Sequence, residues 1–344
     1  MVAIVGSGLA ALAAFATLRH AGVPATGIAV FGTHADPTEV WRERAAAIRQ
    51  ERMRSESDGH LAAASFPGLA LRERSLRALV GTATNRYRPS VETFLAHAER
   101  VRRRSGWDER FTERRIRSVR AVAGGFELDG DGPFAHVLLA TGHPGLARVP
   151  GTVHAYEPHE YAAKVAVIGA GMAAATEWRN ALAAGAEVVS IRRREPLRRP
   201  LNVPREYFSK RGLASFHRLP DVERAAELRR LSAPSYPPGP EWDAHVRVVE
   251  APPPGFQVIS ATGFRKGFQE DMLLADLVAG HGLDTYDRWI VLSSDSAVPA
   301  LTDETRTLSI SGVAGQWAFP AGDTIAGAKY AARAFTRRVC RTRS

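Results

Sequence analysis

Cysteine is almost missing from this chain. Its 344 residues include one, Cys340, so no internal disulfide framework, CxxC redox pair or cysteine-rich metal cluster can form. Lysine is scarce as well. Lys164, Lys210, Lys266 and Lys329 are the only lysines among 46 basic residues, which leaves 42 arginines. The resulting net charge of +10 would suit phosphate neutralisation on a nucleic acid. These arginines are scattered among alanines, however, and no aromatic-plus-basic RNA motif accompanies them, so no nucleic-acid partner is expected. No run of about 18 apolar residues occurs, and no membrane-spanning helix is expected. The first strand-like run begins at residue 2, which leaves no signal peptide to be read and makes the cytoplasm the expected location.

What is present is an ordinary globular composition, 45% hydrophobic and 24% charged, in a chain long enough for two domains or one domain carrying an insertion. One pattern occurs twice. Val2-Ala3-Ile4-Val5 runs into Gly6-Ser7-Gly8-Leu9-Ala10-Ala11, and Val165-Ala166-Val167-Ile168 runs into Gly169-Ala170-Gly171-Met172-Ala173-Ala174. An Ala-rich helical run and a second apolar run follow each turn, Ile28–Phe31 in the first copy and Val188–Ile191 in the second, so each reads as a βαβ unit. In such a GxGxxA turn the first glycine permits a tight bend and the second lets backbone approach a pyrophosphate. The closing alanine lets helix and strand pack closely. The helix N-terminus then offers unpaired N–H groups and a positive dipole end to the anion. One such turn is a weak signal. Two, each between a strand and a helix, predict two bound nucleotides and electrons passing from one to the other.

The two copies differ. Gly32 stands where an acid would bond the first nucleotide's ribose, followed by Thr33-His34-Ala35-Asp36; Thr33 or Asp36 is the candidate replacement. The second copy runs straight into Arg192-Arg193-Arg194, and Arg192 or Arg193 fits the 2′-phosphate of NADP(H) through a bidentate fork. Two apolar strands end in Ala140-Thr141-Gly142 and Ala261-Thr262-Gly263, marking where the chain leaves one nucleotide domain for the other. Gly322-Asp323 precedes a helical run over about 326–338. There Gly322 allows close approach, and Asp323 reads either as a helix cap or as a group bonding a ribityl hydroxyl. Between these landmarks lie a helix start capped near Ser90, a hairpin from Val119 to Leu128 around Gly124-Gly125, an irregular basic stretch (192–220), a helix over about 220–231 and a proline-rich linker (233–240).

Together these motifs resemble the two-dinucleotide-binding flavoproteins, and within them most closely the flavin-containing and N-hydroxylating (class B) monooxygenases. The similarity spans nearly the whole chain. Residues 150–161 hold the family's FxGxxxHxxx(Y/W/F) segment in degenerate form, with Val149 in place of the phenylalanine and Gly151 to His154 one residue short. The resemblance implies an α/β fold of two Rossmann-like, three-layer ββα dinucleotide-binding domains. FAD would occupy a discontinuous domain of residues 1–155 and 255–344, holding Gly6 to Ala11, Thr33, Thr141, Gly142, Gly322 and Asp323. NADPH would occupy an inserted domain, residues 156–254, at Gly169, Gly171, Met172, Ala173, Ala174, Arg192 and Arg193, with Thr262 and Gly263 at the return crossing. Residues 52–58 fall where the family's chain passes near the flavin ring, which makes Arg52 and Ser55 candidate contacts.

The activity so implied is NADPH- and FAD-dependent monooxygenation: one oxygen of O2 passes from a C4a-(hydro)peroxyflavin to a nucleophilic nitrogen or sulfur of a small molecule. No acid–base dyad is required, and none is found. A reductase passing electrons to a quinone or protein carrier remains an alternative, as does a non-catalytic nucleotide-binding protein. Disulfide reduction within one chain would need a cysteine pair that Cys340 cannot supply. An exposed second domain leaves room for a homodimer.

Overall fold

The computed structural model describes residues 1–53, 88–198, 203–236 and 245–342; Ser55, residues 199–202 and residues 237–240 lie outside them. The first unit runs β1 (Val2–Val5), α1 (Leu9–His20), β2 (Ile28–Gly32), α2 (Glu39–Ala47), α3 (Val91–Ser105), β3 (Phe111–Glu113), the ribbon β4 (Val119–Val122), β5 (Gly125–Leu128) and β6 (Asp131–Phe134), then β7 (His136–Leu139). Next come β8 (Val153–His154), β9 (Lys164–Ile168), α4 (Met172–Ala183), β10 (Glu187–Ile191), β11 (Leu197–Arg198), α5 (Lys210–His217), α6 (Asp221–Leu231), β12 (Ser235–Tyr236), β13 (Arg247–Val249) and β14 (Gln257–Ser260). The chain closes with α7 (Met272–His281), β15 (Thr285–Tyr286), β16 (Trp289–Ile290), β17 (Thr307–Ile310) and α8 (Ile325–Arg341).

Two five-stranded parallel sheets organise these elements, in the orders β17-β7-β1-β2-β3 and β13-β10-β9-β14-β8. Continuous apolar runs such as Val2–Val5 are what a parallel sheet covered on both faces requires. Successive side chains point to opposite faces, and the core divides accordingly. Val2, Ile4, Ile28, Val30 and Leu138 pack with Leu12 and Phe15 of α1 and Phe335 of α8. Ala3, Val5, Phe31, Val137 and Leu139 pack instead with Phe126, Leu128 and Phe134 of the antiparallel ribbon. Helices, parallel sheet and ribbon are the three layers expected.

Because β17 joins β7, every strand of the second sheet lies between two neighbours of the first, and the second unit is an insertion. Its core sets Val165, Val167, Val188 and Ile259 against Ala174, Trp178 and Ala181 of α4. Ile48 of the first unit is buried in the same cluster, and its carbonyl accepts from Asn180 Nδ2 at 3.0 Å.

The structure departs from the sequence reading in three places. The basic stretch 192–220 is not irregular throughout: Ser209 accepts from Gly212 N at 3.1 Å and starts α5. Ser235 and Tyr236, expected in a linker, pair with Leu197 and Arg198, and Tyr236 is fully buried edge-on to Trp178. The strands of the second sheet overrun the expected span 156–254 at both ends, because β8 and β14 pair with each other and β14 with β9.

Candidate nucleotide-binding cleft

The repeated motifs form one device, built twice. Gly6 has φ +127°, and a Cβ there would fall 2.1 Å from the Ala140 carbonyl oxygen; Gly169 has φ +138°, and its Cβ would fall 2.5 Å from the Ala261 carbonyl oxygen. The first glycine of each turn therefore lies under the alanine carbonyl of an Ala-Thr-Gly segment, a contact that no side chain permits. A Cβ added at the second glycines, Gly8 and Gly171, would meet nothing within 4 Å among the described residues beyond their immediate neighbours. Each is the extended N-cap of its helix, with no side-chain cap and no acid in the first turn. The leading N–H groups of α1 and α4 thus keep their dipole uncompensated, which is what an anion at a helix N-terminus requires. Ala11 and Ala174 are fully buried where their helices meet the sheets.

Position 32, where a ribose acid would stand, has no room for a side chain. A Cβ on Gly32 would sit 2.3 Å from Ser7 Cβ and 2.5 Å from Ser7 Oγ. Ser7 Oγ instead accepts from Thr33 N at 3.3 Å and lies 3.2 Å from the ring nitrogens of His34. Of the two candidate replacements, Asp36 is already engaged: its carboxylate accepts from Thr38 N at 2.8 Å, Thr38 Oγ1 at 2.7 Å and Arg42 Nη1 at 2.7 Å. Against the cost of partial burial, those bonds hold its carboxyl below the usual range. Thr33 is exposed beside the first turn.

A cleft of about 520 Å3 opens between the units, lined by Gly169 to Ala173, Gly142, Thr262, Gly263 and Asp323. Residues 6–11 are not part of its lining. Its floor is where the two crossings meet. Arg265 N donates to Gly145 O at 2.9 Å, Ala147 N to Gly263 O at 3.0 Å, and Thr262 Oγ1 to Ala147 O. His143 and Phe264, each directly after an Ala-Thr-Gly, stack with ring centroids 4.1 Å apart. Burial pushes the His143 imidazole down to about 4, with Arg44 and Lys266 adding to the effect, so the ring is neutral.

Thr324, not Asp323, caps α8: its Oγ1 accepts from Gly327 N at 2.9 Å. Asp323 is thereby released from the capping role and faces the cleft. Solvent reaches it there, yet protein surrounds it, and this burial pushes its carboxyl up to about 6 against the pull of Lys266. Lys266 and Arg288 share the cleft wall, and burial lowers the Lys266 ammonium, assisted by Arg288 and opposed by Asp323. Sequence reasoning missed His143, Lys266 and Arg288; the place of His143 just after the Ala-Thr-Gly was the one available signal.

Arg192 follows β10 directly. Its side chain is 9% exposed, lies over the Trp178 ring at 5.6 Å and donates from Nη2 to Glu195 Oε1 at 2.9 Å. Its Nε and Nη1 are buried without a partner among the described residues. Arg193 is exposed. Arg52 lies outside the cleft lining, exposed, with Nη1 donating to Arg88 O at 2.9 Å.

No protein-family model and no curated protein matches this chain. Solved structures match it nearly end to end. The ornithine N-hydroxylase KtzI of Kutzneria sp. 744, solved with reduced FAD, NADP+ and L-ornithine, superposes with TM-score 0.71 at 14% identity, over 100% of this chain and 99% of that one. Ornithine hydroxylase PvdA of Pseudomonas aeruginosa gives 0.66 at 15%, over 98% and 99%. The bacillithiol disulfide reductase Bdr of Bacillus cereus gives 0.58 at 15%, over 100% and 99%. The fold is that of these enzymes, which carry out more than one chemistry.

Proposed function

We propose that the protein is an FAD- and NADPH-dependent monooxygenase that places one oxygen atom of O2 on a nitrogen or sulfur of a small molecule. The observation that carries this reading is the presence of two bare helix N-termini, each with its Ala-Thr-Gly partner, one on each of two units between which a cleft opens. The discontinuous unit carrying Gly6 to Ala11 takes FAD, and the inserted unit carrying Gly169 to Ala174 takes NADPH. Bound flavin would take hydride from NADPH and activate O2, chemistry that no side chain here supplies.

The protein's own part is to bind, orient and keep dry. The N–H groups of α1 and α4 hold the pyrophosphates. Asp323, freed by Thr324, offers a carboxylate to the ribityl chain, and neutral His143 against Phe264 adds an apolar wall that excludes water. Cys340 lies in the last turn of α8, so the cleft has no cysteine pair of the kind a disulfide acceptor would need. The fold is shared with an ornithine N-hydroxylase, with lysine and cadaverine monooxygenases and with an S-allyl-L-cysteine S-oxygenase, which makes aliphatic amines and thioethers the substrates to test first.

The purified protein should be yellow. With NADPH and 18O2, a panel of those amines and thioethers should yield a product carrying one labelled oxygen, at one NADPH per product. NADPH oxidation that reduces added quinone and labels no product would replace this reading with the reductase. A colourless protein that cannot be loaded with FAD would replace it with a non-catalytic nucleotide-binding role. The same reading takes the protein as a cytoplasmic homodimer, and light scattering at a single-chain mass would remove the dimer. Among the described residues, no helix is long and apolar enough to cross a membrane.

A further inference from the structure

Arg192, one of the two arginines that would suit a 2′-phosphate, is folded against the protein rather than held out to a ligand. Two of its donors, Nε and Nη1, are buried and unpartnered among the described residues, and the third, Nη2, is held by Glu195. The guanidinium rests on the Trp178 ring at 5.6 Å, which favours it there through the negative face of the indole. Glu195 itself is 73% exposed, three residues along the same turn, and Arg192 is its one partner among the described residues. A guanidinium binds a phosphate most strongly through two parallel N–H donors. In this arrangement a phosphate can obtain them from Arg192 only if the side chain leaves Trp178 and Glu195 together. The two orphaned donors make the folded-away state a costly one, and the Glu195 carboxylate is the compensation that holds it.

We propose that Glu195 sets how strongly the second glycine turn discriminates 2′-phosphorylated from plain adenosine, by holding Arg192 closed against Trp178. An adenosine without the phosphate leaves the Arg192–Glu195 pair intact and is indifferent to it. A 2′-phosphate must displace the carboxylate, and the free carboxylate then stands beside a dianion. This inference rests on the reading of Gly169 to Ala174 as the NADPH turn.

Two fragments test it without turnover, by titration calorimetry on the flavin-loaded protein: adenosine 2′,5′-bisphosphate and 5′-AMP. Glu195→Gln should tighten the bisphosphate about tenfold, the scale of one charge-assisted hydrogen bond, and leave 5′-AMP unchanged. Arg192→Gln should reduce the bisphosphate to the affinity of 5′-AMP and make Glu195→Gln silent when the two are combined. A bisphosphate-to-AMP ratio unchanged by Glu195→Gln would overturn the inference while leaving the dinucleotide reading in place. Failure of the wild-type protein to bind either fragment would overturn both.

Discussion

The steric explanation for the missing ribose acid is open to a direct test by Gly32→Ala. The backbone at Gly32 does not lie in the left-handed region, so alanine costs nothing conformationally, and any penalty must come from Ser7. The new Cβ would sit 2.3 Å from Ser7 Cβ. Ser7 is 4% exposed and wedged between the turn and the strand end, so the clash cannot be relieved by rotating a flexible tip. Overpacking of this kind costs about 1–3 kcal/mol, roughly 2–12 °C in Tm for a unit of this size. Ser7→Gly removes the two nearest atoms, and the next, Ser7 N, lies 3.0 Å from the added Cβ. Alone it loses the bond from Thr33 N, about 1 kcal/mol. The double variant should therefore be more stable than the two single losses added together, by about 1–2 kcal/mol. Urea unfolding of the four proteins, with m-values compared to confirm the same transition, measures that coupling. A Gly32→Ala protein as stable as wild type, or additivity within about 0.5 kcal/mol, would refute the account. By the same logic Gly32→Asp in the natural background destabilises the first unit and restores no ribose contact.

Gly169→Ala places a Cβ 2.5 Å from the Ala261 carbonyl at φ +138°, so it should abolish adenosine-fragment binding while FAD is retained; unchanged calorimetric binding would contradict the reading of that contact. Thr324→Ala removes the bond from Gly327 N and should cost about 1 kcal/mol in urea unfolding, with no loss of cleft charge because Asp323 stays. His143, held at about 4 when folded, binds fewer protons than in the unfolded chain between that value and about 6.5. Its contribution is complete above 6.5 and is lost as pH falls toward 4, by about 3 kcal/mol. His143→Phe, which keeps a ring against Phe264, should flatten the fall in urea midpoint between pH 7 and 4.5. Asp323, raised to about 6, acts in the opposite sense, its contribution present at low pH and lost as pH rises through 6, so Asp323→Asn should deepen the acid loss. An unchanged pH slope in either variant would count against the assignment.

The parts of this molecule that could be read from sequence are those whose chemistry is local. A strand, a GxGxxA turn and an Ala-rich helix lie within a few tens of residues, so their types and order could be read for both units. What could not be read depends on which distant segments meet. Gly32 looked like a deficiency because its partner, Ser7, belongs to another element. Asp323 and Thr324 both suit a helix cap, and the choice turned on which of two adjacent residues has its oxygen over Gly327 N. The cleft wall draws His143, Lys266 and Arg288 from three loops, and no spacing links them. The Ala-Thr-Gly repeat stands between these cases. Its recurrence was visible, but its reason was not, until Ala140 and Ala261 were found with their carbonyls over Gly6 and Gly169. Each glycine turn is shaped by the strand beside it, so the chain's crossings between units are fixed at the points where the nucleotide turns are built. The two crossings then bond to each other through Gly145, Ala147, Gly263 and Arg265. The backbone that packs over one glycine turn is thus hydrogen-bonded to the backbone that packs over the other.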